Sequence, residues 1–560
     1  MSIARHPSAA RPGTVTGVIS GIITAAAAIG VAQLLAGLTT PQASPVVAVG
    51  QCVIGGTPLP VKDWATSTFG TNDKTVLVGG VLVLLFAFAA VIGVVAMRRL
   101  AWGLAGLALF GAIGLAAVLT RPDSTASWIW PTVIGSAAGA VALALLVKAA
   151  IATVPATPPP APTAGSSSIE SAWVAGGPAG PHDAGPASGD LPERTDVPAY
   201  GSPPGSRRAF LTTAGLTLAA AAAGEYAGRE AATRRNVSAA QAAIRFPAPA
   251  VAAPPLPAGI NPKVAGLSSY ITPNGQFYRV DTALVLPEVS PVGWTLRIHG
   301  MVRREVTITF DQLLKRPLIE DYITLCCVSN PVDGPYVGNA KWLGASLASL
   351  LREAGPLAGA DQLLYTSVDG FTSGTPLPVV MDGRDALVAV AMNGSALPVA
   401  HGFPARLVVP GLYGYVSACK WVTDIEVTTF ARAQAYWVQN GWSQQAPIKT
   451  ESRIDVPTGT SPIGPGPVTV AGVAWAQHKG IAAVEVQVDN GPWNEATLAA
   501  VPGIDSWRQW TWQWTSPAPG NHKIQARATD KTGYTQTSLL AGVAPNGASG
   551  YPSVQVTVRS

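Results

Sequence analysis

Four long apolar runs near the start of the chain decide what surrounds it. They cover residues 15–38, 76–97, 100–119 and 130–147. Each is close to the ~20 residues a helix needs to cross the hydrocarbon of a bilayer. Hydrocarbon offers no hydrogen-bond partner, so the runs are expected as transmembrane helices that satisfy their own backbone. Arg5 and Arg11 precede the first run, Arg98 and Arg99 part the second from the third, and Lys148 follows the fourth. The bias of basic residues toward the cytoplasm places all of these inside, and the loops 52–74 and 121–127 outside. Arg121, in the second of these loops, is a contrary charge. No histidine lies in a span, which excludes a membrane haem held by paired axial histidines of this chain. Few ionisable residues lie there either, so no proton path is drawn. The region reads as an anchor or docking platform.

The chain has 560 residues, 48% hydrophobic and 12% charged, and the apolar excess lies before residue 225. A net charge of +5 with no basic stripe in the remainder excludes a nucleic-acid surface. The four cysteines, Cys52, Cys326, Cys327 and Cys419, lack the regular spacing of a disulfide framework. Residues 153–205 are rich in Pro, Gly and Ala, a composition that buries no core and reads as a disordered linker. Ser206-Arg207-Arg208-Ala209-Phe210-Leu211 then opens a short alanine-rich run to about Gly224. The pair resembles an internal twin-arginine export signal, a route for folded proteins. The segment 206–224 is expected as that signal and as a fifth, shorter membrane helix, leaving everything after it outside the cell membrane.

Beyond residue 265 the pattern changes to short alternating strands punctuated by Gly and Pro. Residues 294–300 and 306–310 alternate. Residues 310–314 predict a short helix capped by Asp311, and 343–354 a second helix. The segment 265–456 is therefore expected as a mixed α+β domain. No Gly-x-Gly-x-x-Gly follows a strand, so no dinucleotide fold is expected. After a Pro/Gly-rich junction, residues 465–560 carry about seven strands, with a turn at Asp489-Asn490-Gly491. That spacing suggests an all-β immunoglobulin-like sandwich, with Trp507, Trp510, Trp512 and Trp514 as core or interface aromatics.

Three polar residues stand out in the α+β segment. His401, Arg406 and Lys420 fall within apolar sequence, where a buried cation needs an anionic partner. An arginine suits a phosphate. Upstream, Thr324-Leu325-Cys326-Cys327-Val328-Ser329-Asn330 sets a Cys-x-x-Asn turn. A cysteine thiolate is a strong ligand for soft metals. On their own, Cys327 reads as a loop thiol, Cys326 as a small buried hydrophobe and His401 as a structural histidine.

The Cys-x-x-Asn turn, followed at this range by His401-Gly402-Phe403-Pro404-Ala405-Arg406 and Lys420-Trp421, resembles the molybdopterin domain of the sulfite oxidase family. The resemblance implies a molybdenum-molybdopterin cofactor and oxygen-atom transfer on a small substrate, a sulfite-like oxyanion. It implies Cys327 as the metal ligand, because only Cys327 sets the spacing to Asn330. It implies His401, Arg406, Lys420 and Asn330 as cofactor contacts. Tyr278-Arg279-Val280-Asp281 resembles the family's Arg-Asn-His segment, which implies Arg279 at the substrate and puts Asp281 at a cofactor position. Trp442 stands where the family has a substrate-site tyrosine. Arg508 stands for the arginine that the C-terminal domain lends to the anion pocket. An external one-electron carrier, a cytochrome or membrane redox partner, and a homodimer through the C-terminal domain are implied as well. A sulfoxide reductase of the same superfamily and a cofactor-free membrane scaffold are the alternatives. The expected organisation is 1–152 membrane helices, 153–205 linker, 206–224 signal helix, 265–456 catalytic domain and 465–560 sandwich.

Overall fold

The structure is a computed structural model that describes residues 13–69, 72–121, 124–152, 205–234, 237–459 and 462–560. The linker 153–204, Arg5, Arg11 and the side chain of Arg207 lie outside the described residues. The fold separates into two compact units. One gathers the described parts of Met1–Ala32, Leu82–Ala112 and Val133–Tyr226; the other gathers Gln33–Val81, Ile113–Thr132 and Ala227–Ser560.

The N-terminal helices are α1 (Thr14–Leu38), α2 (Pro45–Gly56), α3 (Leu59–Phe69), α4 (Asp73–Arg98), α5 (Leu100–Leu119) and α6 (Ile129–Ile151). Among the described helices, four spans are long and apolar enough to cross a membrane: Thr14–Leu38, Lys74–Arg98, Leu100–Leu119 and Ala126–Ile151. These are the four runs read from sequence, extended by a few residues into polar ends. Arg98 and Lys148 occupy last turns, where the helix dipole favours a cation. Val83, Leu84, Phe88 and Val91 of α4 face outward, as hydrocarbon permits. Glycines let α1 serve as the hub of its unit. A Cβ at Gly21 would fall on the Ala89 carbonyl of α4, and one at Gly135 of α6 on Ala28 and Ala32. Arg121 is buried with its guanidinium over the Trp128 ring.

The twin-arginine segment lies in one continuous helix, α7 (Gly205–Arg234), longer than the expected 206–224. Glu225, Arg229 and Glu230 extend it with polar turns, and α7 is not among the four apolar spans. It still packs on α1: Gly30 meets Ala221, and Gly37 meets Gly228, backbone against backbone. Phe210 and Ala214 of α7 join Ile23 of α1 and Leu146 of α6 in one apolar cluster.

The α+β part is built on two five-stranded sheets. The first holds β1 (Thr295–Gly300), β2 (Val306–Thr309), β5 (Gln362–Ser367), β6 (Thr372–Pro376) and β10 (Val422–Thr428), in the order β2-β1-β10-β5-β6. Only the β1–β10 pair is parallel. The second holds β3 (Leu318–Cys326), β4 (Val337–Ser346), β7 (Leu387–Met392) and β8 (Ser395–Ala396), in that order, with β9 (Arg406–Val408) also on β7. Two expectations are corrected. The helix Phe310–Leu314 is capped by Thr309 in a capping box with Gln312, not by Asp311, which sits inside its first turn. Residues 343–346 continue β4, and the second helix is Leu347–Ala354 with Ser346 as its cap. Leu343 is apolar for either role, and pairing with β7 decides it.

The chain ends in two antiparallel four-stranded sheets. One takes β11 (Glu451–Val456), β12 (Val468–Trp475), β15 (Thr497–Leu498) and β16 (Arg508–Trp514). The other takes β13 (Ile481–Val488), β14 (Asn494–Glu495), β17 (Gly520–Asp530) and β18 (Ser553–Val558). Val470, Val484, Trp510, Ile524 and Val556 fill the core between them. Trp507 belongs instead to the α+β core and donates its indole N–H to the Tyr270 carbonyl at 2.9 Å.

Candidate functional site

β3 delivers the two adjacent cysteines to different places. Successive residues of a strand point to opposite faces. Cys326, the last residue of β3, is 0% exposed in the core, while Cys327, 8% exposed, lies on the wall of a cavity. The turn after it is pinned three times. The Cys327 N–H donates to the Tyr336 carbonyl (2.9 Å), the Asn330 N–H donates to the Cys327 carbonyl (3.1 Å), and Asn330 Oδ1 accepts from the Tyr336 N–H (2.7 Å). Asn330 thus shapes the turn from behind and does not line the cavity, in contrast to the cofactor contact expected of it; its Nδ2 is buried without a partner among the described residues. Burial pushes the Cys327 thiol up, opposed by the Ser329 amide and hydroxyl. All four cysteines are free.

The cavity has an empty volume of about 920 Å³, counting its open mouth. His401, Arg406, Lys420, Asp281 and Trp442 line it together with Cys327, so six of the nine residues singled out in the sequence share one space. Arg279 does not line it. Its side chain is 41% exposed and clasps Asp281 with two bonds, Nε to Oδ2 at 2.8 Å and Nη2 to Oδ1 at 3.3 Å. Arg508 also lies elsewhere, donating to the carbonyls of Ala499 and Ile481. Both arginines were expected near the substrate; each is instead held by a closer acceptor.

Arg406 is 5% exposed, and no carboxylate among the described residues meets it. It donates to the carbonyls of His401 (3.1 Å) and Ala418 (3.2 Å) and lies over the Trp342 ring. Burial lowers its pKa to about 10, so the fold bears the cost of a charge that carbonyl dipoles only partly compensate. His401 has Nε2 3.1 Å from the Asn274 carbonyl. A carbonyl only accepts, so Nε2 carries the proton and Nδ1 is left as an acceptor. Burial, then Arg406, brings its pKa to about 4, and the ring is neutral near pH 7.

Lys420, its side chain 10% exposed, is bonded to Asp281 Oδ2 (2.8 Å) and the Ala400 carbonyl (3.2 Å), above the Trp421 ring. Burial lowers its pKa to about 8, against the pull of Asp281. Asp281 is the hub. Its side chain is 4% exposed and meets Lys74, Arg279 and Lys420. Burial alone would raise its pKa, but Lys420, Arg279 and Lys74 together hold it well below the usual carboxylate range. Three cations on one carboxylate, with Arg406 nearby, leave a surplus of positive charge.

The aromatic wall was only partly foreseen. Trp442 is 5% exposed, packs on Tyr415 and Trp437, and keeps an indole N–H with no partner among the described residues. Ser367 adds an unpartnered hydroxyl to the lining. Tyr278 was missed as a site residue, although it adjoins Arg279 in the segment singled out. Burial first, then the charges of Cys327 and Cys326, push its phenol well up, while Arg406 pulls it down. It stays protonated and can donate a hydrogen bond. The donor set therefore suits an anionic cofactor with a soft metal: a cavity-facing thiol, an uncompensated buried guanidinium, surplus positive charge and open hydrogen-bond donors.

The family model described as oxidoreductase molybdopterin binding domain matches residues 283–437. The sulfite oxidase of Gallus gallus is 28% identical over 323 residues, 49% of this chain and 70% of its own length. The mitochondrial sulfite oxidase of Mus musculus is 27% identical over 322 residues, again 49% of this chain, and 58% of its length is spanned. The sulfane dehydrogenase SoxCD from Paracoccus pantotrophus is similar in structure, with a TM-score of 0.46 at 24% identity over 52% of this chain and 85% of that one. The matched domain, which begins just after the Asp281 hub and contains Cys327, His401, Arg406 and Lys420, makes the chain similar to the sulfite oxidases and supports a molybdenum-dependent, molybdopterin-binding oxidoreductase.

Proposed function

We propose that this protein is a multi-pass membrane enzyme that moves an oxygen atom to or from a small substrate at the outer face of the cell membrane. One observation carries the reading: Cys327 opens into the same cavity as His401, Arg406 and Lys420. When bound, the cofactor's molybdenum supplies oxygen-atom exchange and a two-electron change. Cys327 is the protein ligand to that metal, and the Ser329 amide and hydroxyl steady its sulfur. Arg406 and Lys420 hold the pterin's phosphate, and His401 offers Nδ1 as an acceptor to a pterin N–H. Tyr278 and Trp442 present an O–H and an N–H toward the substrate. Asp281 sets the position of Lys420 and does not meet the anionic cofactor itself.

The location rests on charge. Arg98, Arg99 and Lys148 mark the cytoplasmic ends, and the opposite ends, within Gln33–Val81 and Ile113–Thr132, fall in the compact unit that contains the cavity. The packing of α7 on α1 and α6 supports its reading as a fifth membrane helix entered by twin-arginine export. The paired four-stranded sheets fit an immunoglobulin-like sandwich that joins two copies. Electrons leave singly to an external carrier.

A sulfite-like oxyanion is the substrate the family relation suggests. A second reading, reduction of a neutral sulfoxide, is favoured by the placement of Arg279 and Arg508 outside the cavity lining and by its aromatic wall. Elemental analysis of the purified chain, expected to give one molybdenum per protein, tests the enzyme reading; a metal-free, pterin-free protein refutes it. Turnover of sulfite with an electron acceptor against sulfoxides with a donor decides the direction.

A further inference from the structure

The stretch between the first two spans, Gln33–Val81, does not stand clear of the catalytic fold; it belongs to the same compact unit. Two strips of the cavity wall receive its side chains. On the first, Lys74 Nζ, in the opening turn of α4, donates to Asp281 Oδ1 at 2.7 Å and to the Ala283 carbonyl at 2.8 Å. Gln51 of α2 donates to the carbonyl of Thr282 at 3.1 Å. On the second, Lys62 Nζ of α3 lies 3.2 Å from both the Tyr436 hydroxyl and Asn440 Oδ1, and 5.5 Å from the centre of the Trp437 ring. Asp281, Thr282 and Trp437 all line the cavity.

The division of labour on Asp281 gives Lys74 a job. Lys420 and Arg279 Nε share Oδ2, while Oδ1 takes a short bond from Lys74 at 2.7 Å and a longer one from Arg279 Nη2 at 3.3 Å. A carboxylate held on both oxygens cannot turn, so Lys420 stays between Oδ2 and the Ala400 carbonyl. Without Lys74, Oδ1 keeps only the longer bond from Arg279, whose side chain is 41% exposed, and Asp281 can shift and carry Lys420 with it. A displacement of about 1 Å at a site of this kind costs rate heavily.

We propose that Lys74 and Lys62 are positioning residues of the catalytic cavity, so that the segment linking the first two membrane spans is a working wall of the active site and not only part of an anchor. The proposal rests on the enzyme reading above for its kinetic consequences, but its geometry stands without it.

The test uses the full chain in detergent. Gln51→Cys with Thr282→Cys, in a Cys52→Ser background, is treated with a short bismaleimide, and the joined peptides are sought by mass spectrometry. A cross-link within one chain is expected whether or not metal is bound. Its absence overturns the proposal, whereas a metal-free parent overturns the enzyme reading instead. Kinetics per bound molybdenum then separate positioning from mere stability. Lys74→Gln is expected to lower kcat/KM about tenfold or more, the weight of one charge-assisted hydrogen bond, and Lys74→Arg to restore most of it. Lys62→Gln is expected to raise KM with kcat little changed, since it touches the rim and not the Asp281 hub. A Lys74→Gln enzyme with a lowered Tm but parental kcat/KM per molybdenum, or no recovery in Lys74→Arg, refutes the positioning role. If Lys74→Gln does not fold, parental KM in Lys62→Gln refutes it.

Discussion

Replacing Arg406 by methionine separates a residue that serves the cofactor from one that serves the fold. Methionine keeps the unbranched stem and its contact with Trp342 but removes the charge. The pKa of Arg406 falls from an ordinary 12.5 to about 10 because of burial. At about 1.4 kcal/mol per tenfold, that is a cost of about 3 kcal/mol carried by the cofactor-free fold. The variant sheds this cost and loses hydrogen bonds from a charged donor to the His401 and Ala418 carbonyls, each worth about 1.5 kcal/mol net, plus a cation–π contact of about 1 kcal/mol. The terms nearly cancel. Cofactor-free Arg406→Met is therefore expected to melt within a few degrees of the parent. The loaded state loses a charge-assisted bond of about 1.5–3 kcal/mol to the phosphate, so pterin should bind about ten- to a hundredfold more weakly. The assay pairs melting of detergent-solubilised protein from cofactor-deficient cells with molybdenum content and pterin fluorescence of protein from competent cells. A large drop in Tm with full pterin occupancy would refute the argument, because Arg406 would then be a structural charge.

Three further outcomes are expected. Cys327→Ser should abolish turnover while retaining pterin, and Cys326→Ser should not; the reverse pattern, read by activity and pterin fluorescence, moves the ligand to Cys326. Lys420, lowered to about 8 from 10.5, should give opposite pH trends. Between about pH 8 and 10.5 the unfolded chain binds the extra proton, so the cofactor-free fold gains stability as pH rises. Cofactor affinity falls over the same range as the ammonium is lost, and Lys420→Arg should abolish both trends in melting and pterin-rebinding assays. Arg207→Lys with Arg208→Lys keeps the charge but should strand the catalytic part in the cytoplasm; equal protease accessibility beyond Glu225 in spheroplasts of parent and variant would reduce the pair to a topological flank.

The four long apolar helices were legible because twenty apolar residues in a row have few other fates. The cavity was legible where chemistry is local: Cys327 and Arg406 are odd residues in apolar surroundings, and each lies within a motif. Helix starts were not. Asp311 and Thr309 are both good caps, and only the reciprocal bond with Gln312 chooses between them. Arg279 lies outside the cavity lining because its nearest anion is two residues away, a short-range pairing that outcompetes a cavity. The Asp281 hub was invisible for the opposite reason. Its partners Lys74 and Lys420 lie 207 and 139 positions off, and no local pattern announces such a meeting. Tyr278 escaped because a tyrosine beside a phenylalanine reads as core.

The glycine seam between α1 and α7 bears on how the polypeptide is put together. The first helix meets the seventh at Gly30 with Ala221 and at Gly37 with Gly228, each contact close enough that a single methyl would push them apart. Such a fit is a mutual address between segments made at different moments of synthesis. The covalent bond between them is then dispensable. A chain interrupted within residues 153–204 carries the whole recognition surface on its two pieces, and a natural pair of genes, one for the helices and one for the enzyme, would meet along the same line.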